Sequence, residues 1–419
     1  MMIDLGMELQ ARKLFWRLMM YSNVKNDFKK YSGKNLLVIA PSYPNEDNTF
    51  IGGSFIKNQL ESLKKHFDNI FVISPVLFSF NKLDKDKLCN NYRYDNINVY
   101  FPRSYYIPIF YFNKILIDNR LHVVEKIIKN ENLKFDLIHA HFTWPSAYIS
   151  TSLKEKYHVP TITTIHENAE WLVKEAGINS SLINNAWRNS DVLIRVNSKD
   201  LPILSEYNKN VISIPNGFSS KFKYIDKMEC RGKLNLPKNK KIIFSLGGLI
   251  ERKGFNYLID AIKFVTKKQK DVLCFIGGNG PLKDALQKQI IDLNLQNNVK
   301  LVGFVTDELL SIWINSCDIF VLPSLSEGNP TVMFECLGCG KPYVGTGVGG
   351  VPEIITSDKY GLLVEPGNSQ DLAEKIIIAL NKEWDRDAIL EYSDRFTWDN
   401  IALQTMDAYN LAIAKCKNS

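Results

Sequence analysis

The chain has 419 residues, 45% hydrophobic and 23% charged, the profile of a soluble globular protein long enough for two domains of ordinary size. It holds no run of about 18 apolar residues, which excludes a membrane-spanning helix, and it opens without the short apolar stretch and small-residue cleavage site of a secretory signal, so a cytoplasmic location is expected. The net charge of +7 lies in the first third: residues 1–135 carry 20 Lys and Arg against 13 Asp and Glu, and the rest carries 32 of each. No nucleic-acid-binding motif accompanies this excess, so it reads as a solvated basic surface or as attraction to an anionic acceptor or membrane face.

Residues 1–33 mix Leu5, Leu9, Leu14, Phe15, Trp16 and Leu18 with Arg12, Lys13 and Arg17, a pattern that fits an amphipathic helix. From residue 34 the pattern becomes regular. Asn35–Ala40, Asn69–Ile73, Asp136–Ala140, Thr161–Ile165, Asp191–Val196 and Val211–Ile214 read as buried strands, with helix-length segments such as Ser54–His66 and Ile115–Asn130 between them. The pattern then restarts with Lys241–Leu246, Val272–Ile276, Val299–Val302, Asp318–Leu322, Pro342–Val344 and Gly361–Val364. Helices are expected at about 254–266, 281–293, 330–338, 369–381 and 398–415. Such alternation means parallel sheets with helices on both faces, and two successive sets mean two Rossmann-like domains. The boundary is placed at the turn-rich Pro215-Asn216-Gly217. The expected division is an extension at 1–33, a first domain at 34–216, a second at 217–397 and a final helix at 398–419 crossing back. Seven cysteines, an odd number mostly in apolar runs, read as reduced core residues. Cys336 and Cys339 form a CxxC without a second ligand pair for zinc.

The chemistry concentrates in loops that follow strands. After Asp318–Leu322 comes Ser324-Leu-Ser-Glu-Gly-Asn-Pro-Thr-Val-Met-Phe-Glu335, with Asn329 as expected N-cap and Pro330 as first helical residue. The first N–H groups of this helix, at Thr331 and Val332, suit a phosphate. Glu327 and Glu335 then flank it, and carboxylates suit sugar and ribose hydroxyls. The loop Leu246-Gly-Gly-Leu-Ile-Glu-Arg-Lys-Gly254 offers paired glycines with Arg252 and Lys253 to neutralise a diphosphate. The loop Gly277-Gly-Asn-Gly280-Pro281 occupies the same place after the next strand. In the first domain a Gly52-Gly53 turn opens a helix, His166-Glu167-Asn168 ends one strand, and His139 and His141 end another. The histidine pair reads more readily as structural than catalytic.

Together these segments resemble the retaining glycosyltransferases of family 4, which have the GT-B fold. The resemblance spans about residues 34–415. It rests on the Glu327–Glu335 spacing, on Ile214-Pro-Asn-Gly217, Lys253-Gly254, Gly278-Asn-Gly-Pro281 and Val348-Gly-Gly-Val-Pro-Glu353, and on Gly361-Leu-Leu-Val-Glu365. It implies two Rossmann-like domains facing across a cleft and a nucleotide diphosphate sugar as donor. Glu335 would bind the ribose, Glu327 and His166 would meet the transferred sugar, and Lys253 with the helix start would hold the phosphates. Gly53 would approach the diphosphate, with Arg252, Gly280, Asn329, Thr331 and Val332 completing the donor site. The implied reaction is transfer of a hexose-type sugar, with retention, to a lipid-linked or polymeric glycan. No metal or other cofactor is implied, because the lysine and the helix dipole would stabilise the leaving diphosphate. One departure stands out: Gly248 occupies a position where the family often has Arg. Two alternatives remain, a sugar-nucleotide epimerase or phosphorylase of the same fold, and a catalytically inactive binding partner.

Overall fold

The computed structural model describes residues 34–48, 50, 52–77, 89–105 and 114–416. The N-terminal amphipathic segment lies outside the described residues, as do Tyr106, Phe110, Tyr111 and Phe112, which with Tyr105 form an aromatic cluster suited by sequence to a membrane contact or to the domain core. Tyr105 is described and exposed.

Two sheets organise the chain. The first contains β1 (Asn35–Ile39), β2 (Asn69–Ile73), β4 (Tyr92–Tyr94), β5 (Ile97–Tyr100), β7 (Leu137–His141), β8 (Thr161–Ile165), β9 (Val192–Arg195) and β10 (Val211–Ser213), in the order β10-β9-β8-β7-β1-β2-β5-β4. All its pairs are parallel except β4 with β5. A short pair, β3 (Val76–Leu77) with β6 (Arg103–Ser104), lies apart. The second sheet is wholly parallel: β11 (Lys241–Leu246), β12 (Val272–Gly277), β13 (Val299–Gly303), β14 (Ile319–Leu322), β15 (Tyr343–Thr346) and β16 (Gly361–Val364), in the order β13-β12-β11-β14-β15-β16. The sequence reading passes over the β4–β5 hairpin. Only Ile97 and Val99 of this edge pair are buried, so its apolar signal is two residues long.

The central strands are buried end to end because helices cover both faces. Alternation assigns their side chains. Leu36 and Val38 of β1 pack with Ile56, Leu60 and Tyr409 on one face, and Leu37 and Ile39 with Ile149 and Trp187 on the other. The helix Trp398–Cys416 follows the second domain in sequence but buries Trp398, Ile401, Met406 and Tyr409 in the core of the first. At roughly 1.5–3 kcal/mol per buried large side chain, that face fastens it firmly.

The chain therefore crosses between the domains twice, near residue 216 and near residue 397. Phe218 N–H donates to Phe396 O (3.0 Å) and Trp398 N–H donates to Phe218 O (2.9 Å), so the crossings run side by side. Gly217 is required there, since a Cβ would sit 2.8 Å from Phe396 O.

Strand order reverses between β1 and β7 in the first sheet and between β11 and β14 in the second. Loops leaving the carboxyl ends on either side of such a point diverge to opposite faces and leave a crevice.

Candidate active site

A cleft of about 530 Å³ lies at these two crevices. Its first-domain wall is Pro41, Phe55, Phe142, Trp144, His166, Glu167, Asn168 and Trp171. The second-domain wall is Arg252, Lys253 and residues 327–331, with Asn216 at the crossing.

The helix Thr331–Gly338 starts one residue later than expected. Pro330 holds the N-cap position in an extended conformation, and no side chain caps it. Asn329 is therefore not the cap. A residue before proline is biased away from helical geometry, and Asn329 has a longer-range partner: its Nδ2 donates to Val196 O at 2.6 Å, at the end of β9. Asn216 Nδ2 donates in turn to Asn329 O (2.8 Å), and Asn197 Nδ2 to Gly328 O (3.3 Å). Glu353 accepts from two backbone N–H groups, that of Ser198 shared between both carboxylate oxygens and that of Lys199 on Oε1, at 2.8–2.9 Å. The Glu327 loop is thus tied to the first domain. Gly328 permits this approach, since a Cβ would lie 2.9 Å from Glu167 O and 3.0 Å from His166 O.

Glu327 is buried, and its carboxylate is fully engaged. Oε1 accepts from Lys253 Nζ (2.5 Å) and Ser324 Oγ (2.7 Å), and Oε2 accepts from Arg252 Nη1 (2.9 Å). Burial pushes this carboxyl up, but Lys253 and then Arg252 outweigh it and hold it below the usual range. Arg252 also donates to Ser326 O (2.6 Å). Both cations therefore point into the cleft, but they are already paired there. Two positive charges and one negative leave a single net positive charge beside the start of the helix.

The glycine loops divide. The loop after β11 lies at the strand-order reversal and carries Arg252 and Lys253 into the cleft. The loop after β12 lies one strand further out, and Gly280 is not part of the cleft wall. Its glycines serve packing of loop on loop: a Cβ at Gly278 would meet Gly247 O, and one at Gly280 would sit 2.4 Å from Leu249 O. Gly53 is likewise outside the wall. It has φ 77° at the start of the helix Ser54–Leu63, and a Cβ there would lie 2.4 Å from Ser42 O. Gly248 is exposed, with nothing closer to its Cβ position than Asn279 O at 4.0 Å. Thr331 reaches the wall, whereas Val332 and Glu335 follow it on the same helix outside the wall. Glu335 is 8% exposed, and its carboxyl has no hydrogen bond among the described residues. Burial pushes it up to about 8.

The opposite wall is built on histidines. His139 bridges Tyr409 Oη and Thr164 Oγ1, both at 2.7 Å, so it anchors the final helix rather than touching the cleft. Burial pushes it down to about 3. His141 Nδ1 lies 3.0 Å from His166 Nε2, with the two rings stacked. The ring of His166 also packs against Phe55 and Phe142, and burial holds it well below its ordinary range, so it is a neutral imidazole. The residues that the sequence reading left without a role are Glu167, Trp144 and Trp171 of the wall and Arg195 beneath it. Fully buried Arg195 donates to Ile165 O and Glu167 O and pairs with Asp200 at 2.6 Å, which sets the course of the 165–168 loop. A charged residue closing the apolar run of β9 was the available signal.

Two family models match the chain. Residues 57–221 match the Glycosyltransferase Family 4 model and residues 226–396 the model of Glycosyl transferases group 1. An uncharacterized glycosyltransferase of Methanocaldococcus jannaschii is 30% identical over 296 residues, 70% of this chain and 79% of that protein. Among solved structures, sucrose-phosphate synthase from Thermosynechococcus elongatus superposes with a TM-score of 0.75 at 20% identity, covering 91% of this chain and 100% of the other. Anabaena HepE in complex with UDP and glucose superposes with a TM-score of 0.69 at 21% identity, covering 90% and 99%. The fold is GT-B. Among the described residues no helix is long and apolar enough to cross a membrane, and no cluster of metal-binding side chains occurs.

Proposed function

Because the chain belongs to the group 1 glycosyltransferases of glycosyltransferase family 4, we propose that it moves a hexose-type sugar, with retention, from a nucleotide diphosphate sugar to a lipid-linked or polymeric glycan acceptor. One observation carries this reading: Arg252, Lys253 and the uncapped start of the helix Thr331–Gly338 converge on one end of a cleft whose other wall holds His166. Free N–H groups and two cations suit a diphosphate. HepE, bound to UDP and glucose in the same fold, supports a nucleotide in this cleft.

In this reading the diphosphate displaces part of the Glu327 ion pair. Its oxygens take donors from Lys253 and Arg252, and Glu327 is released toward the sugar hydroxyls. Glu335 accepts from the ribose and gives up its proton to do so. His166, neutral and oriented by His141, offers its remaining ring nitrogen to the sugar. Negative charge developing on the leaving phosphate meets the cations and the helix dipole, and no protein-bound metal is needed. The acceptor lies against the first domain. A basic first third would favour an anionic or membrane-borne acceptor on the cytoplasmic side.

The test is a thermal-shift screen with UDP, GDP, ADP and their sugars, since a ligand that binds only the native state raises the melting temperature. One nucleotide and its sugar should raise it by several degrees at millimolar concentration. No shift with any of them would refute donor binding.

A further inference from the structure

The first-domain side of the cleft contains two carboxyl groups that the donor reading does not use, Glu167 in the wall and Glu175 beneath it. Glu167 lines the cleft and is 7% exposed. Its Oε1 accepts the Thr143 N–H at 2.7 Å. Its Oε2 is buried and finds no hydrogen-bond partner among the described residues. Glu175, fully buried on the helix Ala169–Ile178, accepts Trp171 Nε1–H at Oε1 (3.0 Å), and its Oε2 also lacks a partner. An unmet buried carboxyl oxygen costs about 1–3 kcal/mol or more, so two on one side of the cleft call for an explanation. Burial, and then the neighbouring Glu167, push Glu175 up to about 9, so at neutral pH it keeps its proton. That spares the pair a second negative charge and fixes Trp171 through a neutral carboxyl.

The chemistry of this wall differs from that of the wall opposite. Arg252 and Lys253 stand across the cleft, while this side presents a carboxyl and indole rings. Burial raises the Glu167 carboxyl above its usual range as well, so this side offers hydrogen-bonding carboxyl oxygens rather than a cation for a phosphate. A polyhydroxylated ring is suited: its hydroxyls need strong acceptors, and its C–H faces pack on aromatic surfaces. Trp171 is held for that purpose by Glu175 and by Lys174, whose ammonium lies 4.8 Å from the ring centroid.

We propose that Glu167 is the hydroxyl-binding residue of an acceptor subsite and that the acceptor presents a sugar ring there, its hydroxyl drawing the buried Glu167 Oε2 round to the cleft with Trp171 beside it. This rests on the transferase reading for the word acceptor, but the subsite itself is defined by the wall alone. Glu175 and Thr143 are positioning residues that hold the carboxyl and the indole.

The test is saturation-transfer NMR on the full chain, saturated with whichever of UDP, GDP and ADP raises the melting temperature. The probes are methyl α-D-glucopyranoside, methyl α-D-mannopyranoside, methyl β-D-galactopyranoside and N-acetyl-D-glucosamine. Ring protons of at least one probe should be saturated. Glu167→Ala and Glu167→Gln should each weaken that binding about tenfold, the loss expected for one hydrogen bond to a carboxylate. The glutamine keeps its oxygen on Thr143 N–H and turns its NH₂ toward the cleft, where it cannot accept. The nucleotide-induced melting shift should persist in both variants, which also shows that they fold. Absence of saturation with every probe, or equal saturation in wild type and both variants, overturns the proposal. If no nucleotide raises the melting temperature but probe binding still falls on substitution, the transferase reading fails and the sugar subsite stands.

Discussion

Replacing Glu335 by glutamine should stabilise the empty protein and weaken nucleotide binding. Glu335 is buried on the helix Thr331–Gly338 without a hydrogen-bonding partner for its carboxyl, and burial raises it from near 4.5 to about 8. The sign follows from linkage. Below about pH 4.5 the group is neutral in both folded and unfolded chains. As pH rises from there to 8 the unfolded chain ionises while the folded one stays neutral, so stability falls through that window and levels off above it. At pH 7 the accumulated loss is about 3 kcal/mol, at about 1.4 kcal/mol per pH unit. Glutamine has no such titration. Glu335→Gln should therefore melt several degrees above wild type at pH 8, given roughly 2–4 °C per kcal/mol for a domain of this size, and close to wild type at pH 4.5. A ribose that donates hydroxyls to the carboxylate should lose about 1.5–3 kcal/mol of affinity in the variant. Thermal unfolding at pH 5, 7 and 8, with and without the best nucleotide, reads both effects. A pH-independent gap between the two proteins, or a nucleotide shift equal to wild type, would refute the assignment of a buried, nucleotide-binding carboxyl.

Lys253→Ala and Arg252→Ala should each lower the transfer rate, and the double variant should fall short of the product of the two, because both cations act through Glu327. An Arg252→Ala rate within about twofold of wild type, with Lys253→Ala nearly inactive, would show that the clamp rests on Lys253 and the helix alone. Transfer measured in excess EDTA should match the untreated rate; loss of activity restored by manganese would contradict a metal-free mechanism. Cosedimentation with anionic vesicles should occur at low salt and fade as ionic strength rises. No binding at low salt would remove the membrane-borne acceptor from consideration.

The strands were legible because parallel strands buried on both faces leave unbroken apolar runs, as in Ile319–Leu322. What a linear reading lacks is strand order. Three glycine-bearing loops look equivalent in sequence, yet only those after β11 and β14 reach the cleft, because β12 is added outside β11. Gly280 is thus set back from the cleft wall by strand order, which its chemistry does not reveal. Asn329 fails for a related reason: its local rule, capping the next helix, loses to a carbonyl 133 residues away. A separation of 74 and 75 residues likewise hides the pairing of Glu327 with Lys253 and Arg252, which the sequence reading takes as separate donor ligands. Glu175 was the hardest to see. Its spacing from Trp171 is an ordinary helical contact, and only burial beneath the cleft wall gives it meaning.

The two crossings at Phe218 and Trp398 behave as the spine of a book. Two adjacent, mutually hydrogen-bonded strands resist sliding, so the domains are left with rotation about a line through that pair. Points near such a line travel least. The loop carrying Glu327 is moored to the spine by Asn216, so when the mouth widens to admit a donor this loop stays nearly still. Glu353 on the amides of Ser198 and Lys199 fastens the same neighbourhood, next to Asn197 on Gly328 O, so the mooring is doubled there. The reacting groups would be kept in register by the page nearest the binding.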